Sequence, residues 1–138
     1  RIGVVGHINY QKGRTVVEEL AQLIRNRGVV AKIFIVGTID SVRLPKDVVS
    51  VLGPYDPADL PQIIEKFDLN VFLVPSIWPE TFCYVAEELM QLQVPLAVFN
   101  IGAPAERVMS YARGRVINEI SAEAALNAVV ELYETIRE

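Results

Sequence analysis

The chain contains one histidine and one cysteine in 138 residues, and those two scarcities remove a good deal of chemistry. With His7 as the sole histidine, a multi-histidine zinc site cannot be assembled; a Ser-His-Asp triad or a Cys-His pair would rest on that one residue, and neither is expected. Cys83 alone excludes an intrachain disulfide and fits a reducing compartment, so a cytoplasmic location is expected. Basic runs are lacking and the formal net charge is −4, which argues against a general nucleic-acid or membrane surface. No apolar run approaches the roughly 18 residues of a membrane span. The first strand pattern, Gly3-Val4-Val5-Gly6-His7-Ile8, carries no G-x-G-x-x-G fingerprint, and no Walker lysine-serine pair or cluster of strand-end aspartates occurs. Neither an initiator methionine nor a leader is seen, so residues 1–138 are read as one domain cut from a longer protein.

What is present is apolar and rhythmic. Hydrophobic residues make up 51% of the chain against 22% charged, enough to bury a core without staples. Short runs rich in Val, Ile, Leu and Phe occupy residues 2–6, 31–37, 48–53, 70–75, 95–100 and 115–118. Most lack strict alternation, as strands of a parallel sheet covered on both faces do. Helical patterns separate them. Val16, Leu20, Leu23 and Ile24 recur at helical spacing ahead of a Gly28 stop. Asp59-Leu60-Pro61 signals a helix start, Phe82, Val85, Ala86 and Leu89 form a stripe, and Ser121 caps a last helix. The expected fold is an α/β, doubly wound, Rossmann-like parallel sheet of six strands in the order 3-2-1-4-5-6.

In such sheets ligands bind at the carboxyl ends of the strands where the order reverses, between strands one and four. There the sequence places the loop from Gly6 and His7 to Lys12 and Gly13, and the stretch Pro75-Ser76-Ile77-Trp78-Pro79-Glu80-Thr81-Phe82-Cys83 running on to Glu88. Lys12 is a point charge suited to a diphosphate, or equally a solvated lysine before a helix. Glu80 is expected at a helix mouth, with Glu88 two turns along, about 12 Å further at 1.5 Å per residue. Between them the amides of Thr81, Phe82 and Cys83 would point out of the helix N-terminus, a favourable anion site. A sugar, a diphosphate and a ribose share that layout. Taken singly, each glutamate could simply complement a helix dipole or face water. His7 is either a ligand contact or a satisfied loop side chain. Cys83 is read as a small packed thiol, and Trp78 as cover for the core. Tyr55, after Gly53-Pro54, could stack on a base or shield the turn.

Together these residues resemble the C-terminal, donor-binding domain of glycosyltransferase family 4, retaining enzymes of group 1 built from two Rossmann-like halves, the GT-B fold. The resemblance covers nearly the whole chain. It rests on the strand and loop from Gly6-His7 to Lys12-Gly13, on Gly53-Pro54-Tyr55, and on Pro75-Ser76 followed by Glu80 and Glu88 with seven residues between them. The turn Ile101-Gly102-Ala103-Pro104-Ala105-Glu106 matches a further family feature. The resemblance implies that Glu80 contacts the transferred sugar, Glu88 the ribose, and the Phe82-Cys83 amides the diphosphate, with Lys12 stabilising the leaving phosphate. Gly6, His7, Gly13, Pro54, Tyr55 and Thr81 would line the same donor site. It implies no metal and no cofactor beyond the nucleotide-sugar donor. Two departures stand out: His7 replaces the usual phosphate-binding arginine, and Gln93 stands where a glycine usually precedes the next strand.

The expected function is therefore the donor-binding half of a retaining, metal-independent glycosyltransferase of polysaccharide biosynthesis. It would move a hexose to a sugar or lipid-linked acceptor held by an N-terminal half, with any peripheral membrane association supplied by the rest of the protein. The isolated domain is expected to be inactive. A sugar-nucleotide epimerase half and a non-catalytic nucleotide-binding or interaction domain are the alternatives, the second favoured by His7 and opposed by Lys12 with both glutamates.

Overall fold

A computed structural model describes residues 1–137. Its elements, in chain order, are β1 (Ile2–Ile8), α1 (Arg14–Arg27), β2 (Ile33–Ile39), β3 (Val49–Val51), a 3₁₀ turn (Pro57–Asp59), α2 (Leu60–Phe67), β4 (Val71–Val74) and α3 (Tyr84–Gln91). They continue with β5 (Leu96–Phe99), α4 (Gly102–Val108), β6 (Gly114–Ile117) and α5 (Ala122–Arg137). All six strands are parallel, in the order β3-β2-β1-β4-β5-β6 that the sequence rhythm predicts.

The sheet divides two cores. On one face Val4, Ile8 and Leu73 meet Val17, Leu20 and Ile24 of α1 and Leu126 and Val129 of α5. On the other, Val5, Val36, Phe72 and Val98 meet Leu60, Ala86, Leu89 and Val108 of the three shorter helices. Burial on both faces explains why β4 and β5 are apolar at every position. Helix ends follow the sequence signals closely: Gly28 closes α1 in a left-handed conformation, and the Ser121 hydroxyl accepts the Ala124 amide at 3.1 Å.

Four expectations are corrected. The glutamate helix begins at Tyr84, with Cys83 as its N-cap accepting the Ala86 amide on Sγ at 3.4 Å. Glu80, Thr81 and Phe82 therefore belong to the preceding loop, and the helical 12 Å spacing between Glu80 and Glu88 does not apply. Phe82 leaves the apolar stripe and packs edge-on against Tyr84, ring centres 4.6 Å apart. The Gly102-Ala103-Pro104 turn is the first turn of α4, where proline's missing amide costs nothing. Trp78, expected over the core, is 56% exposed.

Gln93 occupies a position that glycine favours. It has φ 59°, its amide reaches the Met90 carbonyl at 3.0 Å, and the Val94 amide reaches the Leu89 carbonyl at 3.4 Å, a Schellman closure of α3. Left-handed backbone costs a side-chain-bearing residue about 1–2 kcal/mol, while glycine loses about 0.5–1 kcal/mol more to chain entropy. Gln93→Gly should accordingly raise unfolding stability by about 0.5–1 kcal/mol in a urea titration, and a loss of stability would contradict the assignment of strain.

Candidate functional site

The sheet order places β1 beside β4, so the loops leaving their carboxyl ends share one crevice. The first loop is wound tightly: the Lys12 amide donates to the Asn9 side chain at 3.0 Å, and the Gly13 and Arg14 amides return to the carbonyls of Tyr10 and Asn9. Gly13, at φ 97°, lies so close to the end of β4 that a Cβ there would stand 2.1 Å from the Pro75 carbonyl oxygen. The Ile77 amide then donates to the Gln11 carbonyl at 3.0 Å and joins the two loops.

Lys12 meets Glu80 through this junction: its Nζ donates to Glu80 Oε1 in an ion pair. Ser76, itself buried, reaches the same carboxylate oxygen from 3.2 Å. A third segment fixes the Glu80 backbone. The Ala103 amide donates to its carbonyl at 2.8 Å, and a Cβ on Gly102 would stand 2.6 Å from its nitrogen. Gly102 and Ser76 were not singled out as site residues by the sequence reading. For Gly102 the available signal was the glycine itself, which at φ 72° takes a conformation other residues rarely adopt; Ser76 carried none beyond its place after Pro75.

Glu80 Oε2 and Glu88 Oε2 are both buried and have no hydrogen-bond partner among the described residues. A buried carboxylate oxygen without a donor is costly, and a protein that keeps two of them holds acceptors for something else. The amides of Thr81, Phe82 and Cys83 donate to no backbone acceptor among the described residues, leaving free donors between the two glutamates.

Electrostatics tie further residues to the crevice. Burial, and then the charge of Glu88, push the Tyr55 phenol above its ordinary range, so Tyr55 feels the field of the second glutamate. Gly6 lies against α3, where a Cβ would touch Val85 at 3.8 Å. Pro54 lines a shallow concavity with Tyr55 and Asp56 near the start of α2. His7 goes elsewhere. Its Nδ1 meets Thr38 Oγ1, and its Nε2 stands 3.4 Å from Asp40 Oδ2, both partners at the carboxyl end of β2. Lys12 and Glu80 are thus brought together ahead of the 81–83 loop, and His7 is engaged by Thr38 and Asp40.

Such a constellation can neutralise an anion at Lys12 and the loop amides, and can accept hydroxyl protons at the two glutamates. The described residues contain no group of His, Cys, Asp and Glu arranged to hold a metal ion. No described helix is long and apolar enough to cross a membrane.

The domain is a doubly wound, Rossmann-like parallel sheet whose switch point carries the Lys12–Glu80 pair. The chain belongs to the family described as glycosyl transferases group 1, whose model matches residues 1–135. Among solved structures it is similar to Anabaena Alr3699/HepE in complex with UDP, with TM-score 0.79 at 19% identity over 99% of this chain and 39% of that one. The catalytic domain of starch synthase IV from Arabidopsis thaliana, bound to ADP and acarbose, gives 0.73 at 15% identity over 99% of this chain and 31% of that one. Sucrose-phosphate synthase from Thermosynechococcus elongatus gives 0.72 at 18% identity, over 96% and 36%. The likeness is one of fold, and the chain spans well under half the length of each of these proteins. No curated protein sequence matches it.

Cys83 offers a direct check on this geometry. Burial first, and then the neighbouring Glu80 carboxylate, push its thiol above the ordinary range, against the opposing pull of the Ala86 amide and Lys12. A group whose folded pKa is raised contributes stability that is complete below its unfolded pKa and is lost as pH rises through the folded value. Between about pH 8 and pH 10, spanning the ordinary thiol pKa of about 8.5, Cys83→Ala should therefore lose less stability than the parent chain. Parallel curves for the two proteins would remove the raised thiol from the account.

Proposed function

We propose that this chain is the C-terminal, nucleotide-sugar-binding half of a family 4 GT-B glycosyltransferase, a part of a longer enzyme that transfers a hexose with retention to a sugar or lipid-linked acceptor. The observation that carries this reading is the pair of unpartnered buried oxygens, Glu80 Oε2 and Glu88 Oε2, which flank in sequence the 81–83 amides that donate to no backbone acceptor among the described residues. Hydroxyl groups at both ends of a diphosphate satisfy that arrangement, and a nucleotide sugar has that form. Two of the similar structures are complexes with UDP and with ADP, consistent with it.

In this reading the sugar hydroxyls donate to Glu80, the ribose hydroxyls donate to Glu88, and Tyr55 lies beside the nucleoside. Lys12 and the loop amides offset the charge that develops on the leaving diphosphate, which is the role a metal ion fills elsewhere. Transfer also requires the acceptor in near-attack geometry with water excluded, which calls for a second wall over the crevice. That wall is assigned to an N-terminal half.

A second reading, a nucleotide-binding domain without catalysis, is favoured by one observation: His7 is engaged by Thr38 and Asp40 and presents no permanent forked charge to a phosphate. The two readings differ in turnover. The longer protein should transfer sugar in the presence of a chelator and lose most of that activity in Lys12→Ala and Glu80→Ala. Binding without transfer by the longer protein would select the second reading.

Binding can be tested on this chain alone. Titration with UDP, ADP and GDP should shift amide resonances within residues 6–13, 53–55 and 80–88, and Glu88→Ala should cost about 1.5–3 kcal/mol in affinity for the tightest of them. A shift map centred on the amino ends of the strands, or an unchanged affinity, would remove the assignment.

A further inference from the structure

Among the described residues, Ser76 is the one polar side chain buried to the level of the core, with 5% of its surface exposed. Its hydroxyl has one proton and faces two acceptors, the Gln11 carbonyl and Glu80 Oε1, each at 3.2 Å. Neither acceptor depends on that proton in the ligand-free chain. Gln11 already accepts the Ile77 amide at 3.0 Å, and Glu80 Oε1 already accepts Lys12 Nζ. Ser76 is a surplus donor.

A surplus donor matters only in a state where one of the others has left. Lys12 is the one free to leave, because its side chain is 46% exposed whereas that of Glu80 is 11% exposed. The Glu80 backbone is also held by the Ala103 amide and by the close approach of Gly102. An anion arriving at the crevice must compete for Lys12 with Glu80, and when it wins, the Glu80 carboxylate loses its counter-charge in a nearly dry site.

We propose that Ser76 is a positioning residue that takes over Glu80 Oε1 when an anion draws Lys12 away. The change is a rotation of the hydroxyl from Gln11 to Glu80, with no bond to a heavy atom broken. Gln11 keeps the Ile77 amide, Glu80 keeps its place, and Glu80 Oε2 stays open to a hydroxyl donor. Anion capture at Lys12 is thereby coupled to presentation of Glu80. In the nucleotide-sugar reading, from which only the identity of the anion is taken, the diphosphate prepares the sugar subsite.

Inorganic pyrophosphate isolates this step from any nucleoside contact. Its affinity would be measured by NMR, through amide shifts of residues 9–13 and 75–83, in the parent chain, Ser76→Ala, Glu80→Gln and the double variant. Ser76→Ala should weaken pyrophosphate roughly tenfold, the effect of losing one hydrogen bond to a charged group. Glu80→Gln, which no longer competes for Lys12, should bind at least as tightly as the parent, and Ser76→Ala should change nothing further in that background. Ser76→Cys fills the site with a slightly larger, weaker donor and should fall between serine and alanine, which preserves the test should the alanine variant fail to fold. An equal loss from Ser76→Ala in both backgrounds would mark Ser76 as merely structural and overturn the proposal, as would the absence of any pyrophosphate-dependent shift at Lys12. Nucleotides that fail to bind while pyrophosphate behaves as stated would remove the nucleotide reading and leave this coupling standing.

Discussion

The contact on which the crevice depends is the approach of Gly13 to the Pro75 carbonyl. Two loops separated by most of the first half of the chain meet there because β1 and β4 are neighbours, and they meet closely because position 13 has no Cβ. Hydrogen bonds then follow from that spacing. Gln11 receives Ile77, Ser76 reaches Gln11, and Lys12 extends over the end of β4 to Glu80. Any side chain at position 13 would have to push the lysine loop off the strand end, and Lys12 would lose its partner without having been altered itself.

The charges at this junction are incompletely matched. Glu80 spends one oxygen on Lys12 and Ser76 and leaves the other buried without a donor, and Glu88 does the same with its own Oε2. A core built only for stability would not keep such atoms, because each represents a desolvation penalty that burial elsewhere must offset. Against them stand amides in the 81–83 loop that donate to no backbone acceptor among the described residues. Donors and acceptors unmatched to each other yet carried by one short stretch of chain, from Glu80 to Glu88, suit a ligand with both anionic oxygens and hydroxyls.

The sheet was legible in the sequence because parallel strands buried on both faces must be apolar throughout, as in Val71–Val74 and Leu96–Phe99, and because Gly28 and Ser121 punctuate their helices through local geometry. The switch point followed from strand order, and with it the neighbourhood of Lys12 and Glu80. What escaped rests on weak local signals or on contacts distant in sequence. Cys83 became the N-cap although thiols are poor capping groups, so the start of α3 fell later than the apolar pattern indicated. Helix α4 hid behind Gly102-Ala103-Pro104, which reads as a turn until the backbone is seen to pass against Glu80. His7 found Thr38 and Asp40 across the β1–β2 pairing, 31 residues away in the case of Thr38, and no local pattern announces such partners. Gln93 departs from the glycine of the resemblance yet keeps the left-handed backbone that glycine would supply, so the turn outlived its usual residue.

Helix α5 closes the same core face that seats α1, packing against α1 and against β4, β5 and β6, with Arg27 paired to Glu123 at 3.1 Å. The helix leading out of the lysine loop therefore rests on the last segment of this stretch of chain to leave the ribosome. During vectorial synthesis the loops bearing Lys12 and Glu80 are complete while the part of that face over β4, β5 and β6 is still bare, and it remains so until residues beyond Ala122 emerge. For that interval the nascent chain presents part of an apolar sheet face to the surrounding solvent.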